Sequence, residues 1–88
     1  MARVLGVGAM KYVYILASQS AEEHFYVGLT GDLRARLAKH NAGEVPHTSK
    51  YRPWHIKTYI GFSDPGRAAA FEQYLKSGSG RAFAKMHL

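Results

Sequence analysis

Residues 12–16, Tyr-Val-Tyr-Ile-Leu, are β-branched or aromatic and apolar on both faces, which predicts a central strand covered on both sides. A polar connection follows over residues 18–23. Residues 24–29 then alternate, which predicts a second strand hairpinned to the first. Matching the apolar faces puts Val13, Ile15, Phe25, Val27 and Leu29 on one side of the hairpin. Tyr12, Tyr14, His24, Tyr26 and Gly28 share the other, with Tyr14 opposite Tyr26 as a register that satisfies the pattern. Asp32 is a good N-cap, residues 33–42 carry helical spacing, and Gly43 fits the position after the helix end. A basic and aromatic loop spans 44–54, and residues 55–62 read as a third strand. Ser63-Asp64-Pro65 opens a helix, with proline in its first turn, that runs to about Ser77. Gly78-Ser79-Gly80 predicts a break, and residues 81–87 a short last helix. The order β-β-α-β-α-α describes an α+β domain, one small sheet with helices on its faces.

Eighty-eight residues accommodate one such domain and no large enclosed cofactor pocket. Residues 10–88 are expected to form it, and residues 1–9 a weakly ordered extension, with Met10 as a second candidate start. No cysteine is present, which removes thiolate zinc sites, iron–sulfur clusters and thiol nucleophiles. The longest apolar run near the start, residues 4–10, is broken by two glycines and too short to span a membrane; a cytoplasmic setting is expected. Charge changes the picture more. Twelve Lys/Arg against six Asp/Glu give a net charge of +6, and ten of those cations follow residue 32. Cations that displace counterions, interleaved with tyrosines that can stack on bases, make a nucleic-acid partner a reasonable candidate.

Three polar placements carry the chemistry. The hairpin puts two phenols and a glycine on one patch, with room expected for something to approach the backbone at Gly28. On the first helix Leu33 and Leu37 form the inner stripe, with Arg36 and His40 together on its flank. A cation and an imidazole at the edge of a core can hold phosphate, or can be a snorkelling arginine and a capping histidine. On the second long helix Ala68, Phe71 and Leu75 face inward and Glu72 lies on the stripe's edge. A carboxylate there needs a partner, either Lys76 four residues on or a hard cation.

Taken in order, these residues resemble a known family. Tyr12-Val13-Tyr14 and Tyr26-Val27-Gly28 are similar to the two halves of the GIY-YIG motif. Arg36 stands ten residues after Tyr26, and His40 follows it, ahead of Asn41-Ala42-Gly43. Phe71-Glu72-Gln73-Tyr74-Leu75-Lys76 resembles the family's glutamate helix. The likeness runs over residues 11–88 and is closest to small stand-alone bacterial members. It implies a three-stranded antiparallel sheet flanked by helices and a divalent-metal-dependent endonuclease, with DNA as partner in preference to RNA and DNA repair or recombination as the setting. It also implies roles for Tyr14, Tyr26, Arg36, His40 and Glu72. One tyrosine helps deprotonate the attacking water, Arg36 meets charge on the phosphoryl oxygens, His40 supports the nucleophile or a phosphate, and Glu72 holds one Mg²⁺ or Mn²⁺.

Tyr14 is favoured as the base, provided that a nearby cation lowers its pKa, which burial alone would raise. Gly28, Lys50, Tyr51 and Arg52 are the expected nucleic-acid contacts. The chain departs from some relatives at Leu29, where they carry lysine, and at Ala84, where they carry asparagine. With those auxiliary groups missing and a basic loop present, the alternative is a nucleic-acid-binding module of the same fold with weak or no catalysis.

Overall fold

The computed structural model describes residues 10–88; the extension expected over residues 1–9 lies outside them. The order is β1 (Lys11–Ser18), β2 (Phe25–Thr30), α1 (Leu33–Asn41), β3 (Trp54–Phe62), α2 (Pro65–Lys76) and α3 (Gly78–His87), with a 3₁₀ turn at Ser49–Tyr51 inside the long loop. The three strands form one antiparallel sheet in the order β2-β1-β3. This is the α+β architecture that the sequence predicts. β1 is central, and its run from Val13 to Leu16 is buried.

The sheet separates two apolar clusters. On one face Val13 and Ile15 pack against Ala68 and Leu75 of α2, joined by Val27, Leu29, Phe62, Phe71 and Ala84. On the other, Tyr14, Leu16 and Trp54 pack with Tyr26, Tyr51 and the α1 leucines Leu33 and Leu37. The face assignment of the hairpin is as expected, but its register is not. Tyr14 stands opposite Gly28, and Tyr26 opposite Leu16. A two-residue slide leaves every side chain on its own face, so alternation cannot separate the two registers. Side-chain volume does: a Cβ on Gly28 would overlap the Tyr14 phenol. The room expected above Gly28 is therefore filled by Tyr14 itself. Gly28→Ala is expected to destabilise the fold by about 1–3 kcal/mol, as overpacking does, measured by denaturant unfolding. Wild-type stability in this variant would contradict the packing.

Helices α1 and α2 start where their caps predict. The Asp32 side chain accepts from the Ala35 amide, and that of Asp64 from the Gly66 and Arg67 amides. The last helix differs from expectation. Gly78-Ser79-Gly80 is its first turn, and the Ser77 side chain caps it by accepting from the Gly80 amide. Glycine is there for contact: a Cβ on Gly80 would overlap the Tyr74 carbonyl, so only glycine lets α3 start so close to the end of α2.

Candidate active site

The site gathers on the α1 face of the sheet, around the hydroxyl of Tyr14. Tyr14 is 1 % exposed, and its Oη meets two groups from α1. Arg36 Nε donates to Tyr14 Oη at 3.3 Å, and His40 Nε2 lies 2.9 Å from the same oxygen. His40 lies beside Arg36, as the wheel predicts, but deeper than a flank position implies. It is the buried side chain of α1, 0 % exposed, because the long loop folds over it.

That loop supplies a partner that sequence reasoning missed. His40 Nδ1 lies 2.8 Å from Thr48 Oγ1, and Thr48, 1 % exposed, donates its hydroxyl to the Val45 carbonyl at 3.2 Å. A hydroxyl has one proton to give. With that proton on Val45 O, Thr48 accepts from His40 Nδ1–H. The neutral imidazole then carries a bare Nε2, which accepts the Tyr14 O–H. The chain of donors runs Tyr14 to His40 to Thr48 to a backbone carbonyl. Trp54 holds the loop shut: its indole Nε1 donates to Thr48 O at 2.8 Å, and its backbone N–H donates to Asn41 Oδ1 at 2.7 Å. Nothing in the sequence marks Thr48, since its contact with His40 crosses an irregular loop.

Electrostatics favours this protonation state. Burial is the larger cause that lowers the His40 pKa below its ordinary 6.5, and the Arg36 charge adds to it. The imidazole is therefore neutral at neutral pH. Burial likewise raises Tyr14 above its ordinary 10, and the Arg36 hydrogen bond and charge only partly oppose it. The expectation that a cation would leave Tyr14 with a lowered pKa is thus overturned: desolvation of the phenolate outweighs the guanidinium. Tyr14 keeps its proton and points it at an acceptor. Tyr26, half-buried, completes the cluster, its ring centroid 6.3 Å from that of Tyr14 and 4.9 Å from that of His40.

Glu72 comes from α2 and touches none of these four residues by hydrogen bond. It is 8 % exposed, and its charge contributes to raising Tyr14. Both its oxygens are engaged: Lys76 Nζ pairs with Oε2 at 2.5 Å, and Gln73 Nε2 donates to Oε1 at 3.1 Å. The pairing raises the Lys76 pKa, so the ammonium is fully charged. Of the expected nucleic-acid contacts, Lys50 is exposed with its ammonium 5.8 Å from the Tyr51 ring centroid. Tyr51 stacks on His24 at 4.1 Å, and Arg52 Nε donates to the Ser49 carbonyl at 2.7 Å. Gly28 is buried beneath Tyr14.

Two strand tyrosines and an arginine and histidine one helical turn apart thus meet on the α1 face of the sheet, and a glutamate on the penultimate helix acts on Tyr14 through its charge. Residues 10–86 match the family model of the GIY-YIG catalytic domain. The chain belongs to the GIY-YIG family. It is also similar to a UPF0213 protein of Lacticaseibacillus paracasei, 33% identical over 69 residues, which cover 77% of this chain and 78% of that protein. A UPF0213 protein of Streptococcus pyogenes serotype M5 is 36% identical over 66 residues, covering 74% of this chain and 70% of the relative. The GIY-YIG domain is a nuclease fold, so the general chemistry is phosphodiester hydrolysis and the general partner nucleic acid. The motif's first half is Tyr12-Val13-Tyr14 and its second Tyr26-Val27-Gly28, and β1 pairing with β2 sets Tyr14 directly on the second half's glycine.

Proposed function

We propose that this chain is a divalent-cation-dependent endonuclease that hydrolyses DNA phosphodiester bonds, in repair or recombination. The observation that carries this reading is the buried donor chain from Tyr14 through His40 to Thr48, with Arg36 on the same phenol oxygen. A phenol with an occupied donor, a neutral imidazole behind it and a fixed tautomer is a route for one proton. Water attacking phosphorus in line gives its proton to Tyr14 Oη as Tyr14 gives its own to His40 Nε2. The bond from phosphorus to the leaving oxygen breaks, and that oxygen takes a proton from solvent. His40 becomes an imidazolium whose two N–H groups already face Tyr14 and Thr48. Arg36 offsets charge that develops on the phosphoryl oxygens.

Among the described residues no three His, Asp or Glu side chains cluster as a metal cage. One carboxylate still fits Mg²⁺ or Mn²⁺, which keep most of their waters and use one or two carboxylates plus substrate phosphates. Glu72 would hold the ion once Lys76, whose side chain is 47% exposed, leaves Oε2. Charge neutralisation at the phosphate is the chemistry such an ion supplies when bound.

The pairing of Glu72 with Lys76 and Gln73 favours a second reading, a binding module without catalysis. Labelled DNA and RNA, each as single strand, duplex, flap and branched form, separate the two when incubated with Mg²⁺, Mn²⁺ or EDTA. Cleavage of DNA with either cation and none in EDTA is expected. Binding without cleavage under every condition would leave the second reading, and full cleavage in EDTA would remove the metal.

A further inference from the structure

On the sheet face opposite Tyr14 and His40, α2 and α3 leave part of β2 uncovered. A groove of about 590 Å³ opens there. Its floor is apolar, made by Ile15, Val27, Leu75 and Ala84. Its rim is cationic: Lys57, Lys76, Arg81 and Lys85 line it against the single carboxylate of Glu23. Phe25 stands in it 53 % exposed, with the Lys57 ammonium 4.8 Å from its ring centroid.

The groove and the candidate active site share residues at the β2 edge. β2 is an edge strand, and its neighbours Phe25 and Tyr26 point to opposite faces of the sheet. Phe25 lies on the groove side, whereas Tyr26 packs against Tyr14 and His40 and also lines the groove. Lys76 belongs to both, since it pairs with Glu72 and lines the groove. A strand that rounds the β2 edge passes from one to the other.

We propose that this groove binds unpaired nucleotides of the substrate strand, next to the phosphate that is cut. The inference deepens the nuclease reading and rests on it. Charge complementarity selects a polyanion, and the apolar floor with an exposed aromatic selects one that presents base faces. A single strand does so, whereas a duplex keeps its bases stacked inside and offers phosphates and groove edges. The volume lies within the range of about 300–1,000 Å³ typical of ligand clefts, enough for individual nucleotides.

The test reads binding apart from chemistry. Fluorescence anisotropy in EDTA, across a salt series, is measured with a labelled oligothymidylate and with a labelled blunt duplex. Phe25→Ala is expected to weaken single-strand binding about tenfold, as loss of one base–aromatic stack does, with the salt slope unchanged. Arg81→Ala and Lys85→Ala are each expected to weaken it and to reduce the slope by about 0.7, one phosphate contact on a single strand. Duplex affinity stays within about twofold in all three. Equal losses on both probes would reduce the groove to part of a general basic surface, and unchanged single-strand binding in Phe25→Ala would overturn the proposal. Should the variants behave as expected while no substrate is ever cut, the nuclease reading alone fails. Should the chain cut DNA with the groove variants binding normally, the groove alone fails.

Discussion

Replacement of Glu72 by glutamine is expected to leave folding and DNA binding near wild type and to lower the cleavage rate by at least about 100-fold. The residue is nearly buried on α2, so shape matters to the fold, and glutamine keeps it. What it removes is the negative charge. The fold then loses only the pairing with Lys76, worth about 0.3–0.5 kcal/mol for two residues four apart on a helix. The reaction loses the one carboxylate proposed to hold Mg²⁺ or Mn²⁺. Lewis-acid stabilisation amounts to several kcal/mol at the transition state, and each 1.36 kcal/mol is tenfold in rate. Single-turnover cleavage, anisotropy of labelled DNA and paramagnetic resonance of Mn²⁺ in the DNA complex check the three parts. Equal Mn²⁺ binding and equal cleavage in the variant would remove Glu72 from the reaction.

Tyr14→Phe is expected to cost about 100- to 10,000-fold in turnover, the range that general acid–base groups supply, with DNA binding retained. Tyr26→Phe should cost less, because no hydrogen bond links its hydroxyl to His40 and its part is positioning. The pH profile separates a proton route from a merely structural phenol. His40 accepts only when neutral, and its pKa lies below 6.5, chiefly through burial. The wild-type rate should therefore fall as pH drops through a value below 6.5 and hold steady from there to neutral pH. Tyr14 adds no limb in that range, since its own pKa is raised above 10. Thr48→Val keeps the volume but removes the acceptor for Nδ1–H. The imidazolium loses a partner, so the limb should move to still lower pH with a plateau about tenfold down. Residual activity in Tyr14→Phe should lack the limb. A larger loss in Tyr26→Phe would exchange the two roles, and undiminished rates in both variants would point to His40 acting on water directly.

The strands and caps were legible because their causes are local. Alternation over residues 24–29 and the β-branched run at 12–16 need no tertiary context, and neither do Asp32 and Asp64 as helix starts. Face was readable and register was not: parity repeats every two residues, and the choice was made by the missing Cβ of Gly28 beneath Tyr14. Gly78-Ser79-Gly80 read as a break by intrinsic propensity, yet it forms a helical turn, because Ser77 caps it and the close approach to Tyr74 tolerates only glycine at position 80. In the site, the spacing of Arg36 and His40 was visible, but the depth of His40 was not. Depth comes from a loop whose closure depends on Trp54, Thr48 and Asn41 meeting in space. The same closure buries Tyr14, so the sign of its pKa shift, a contest between burial and one guanidinium, could not be weighed before the fold was known.

The most direct measurement is single-turnover cleavage of one labelled branched DNA bearing an unpaired arm, in Mg²⁺ at neutral pH, by wild type, Tyr14→Phe and Glu72→Gln purified side by side. The account predicts cleavage by wild type that scales with protein, and a rate at least about 100-fold lower in each variant while all three bind the DNA alike. Cleavage at the same rate by all three proteins, or none by wild type under conditions where it binds, would contradict it.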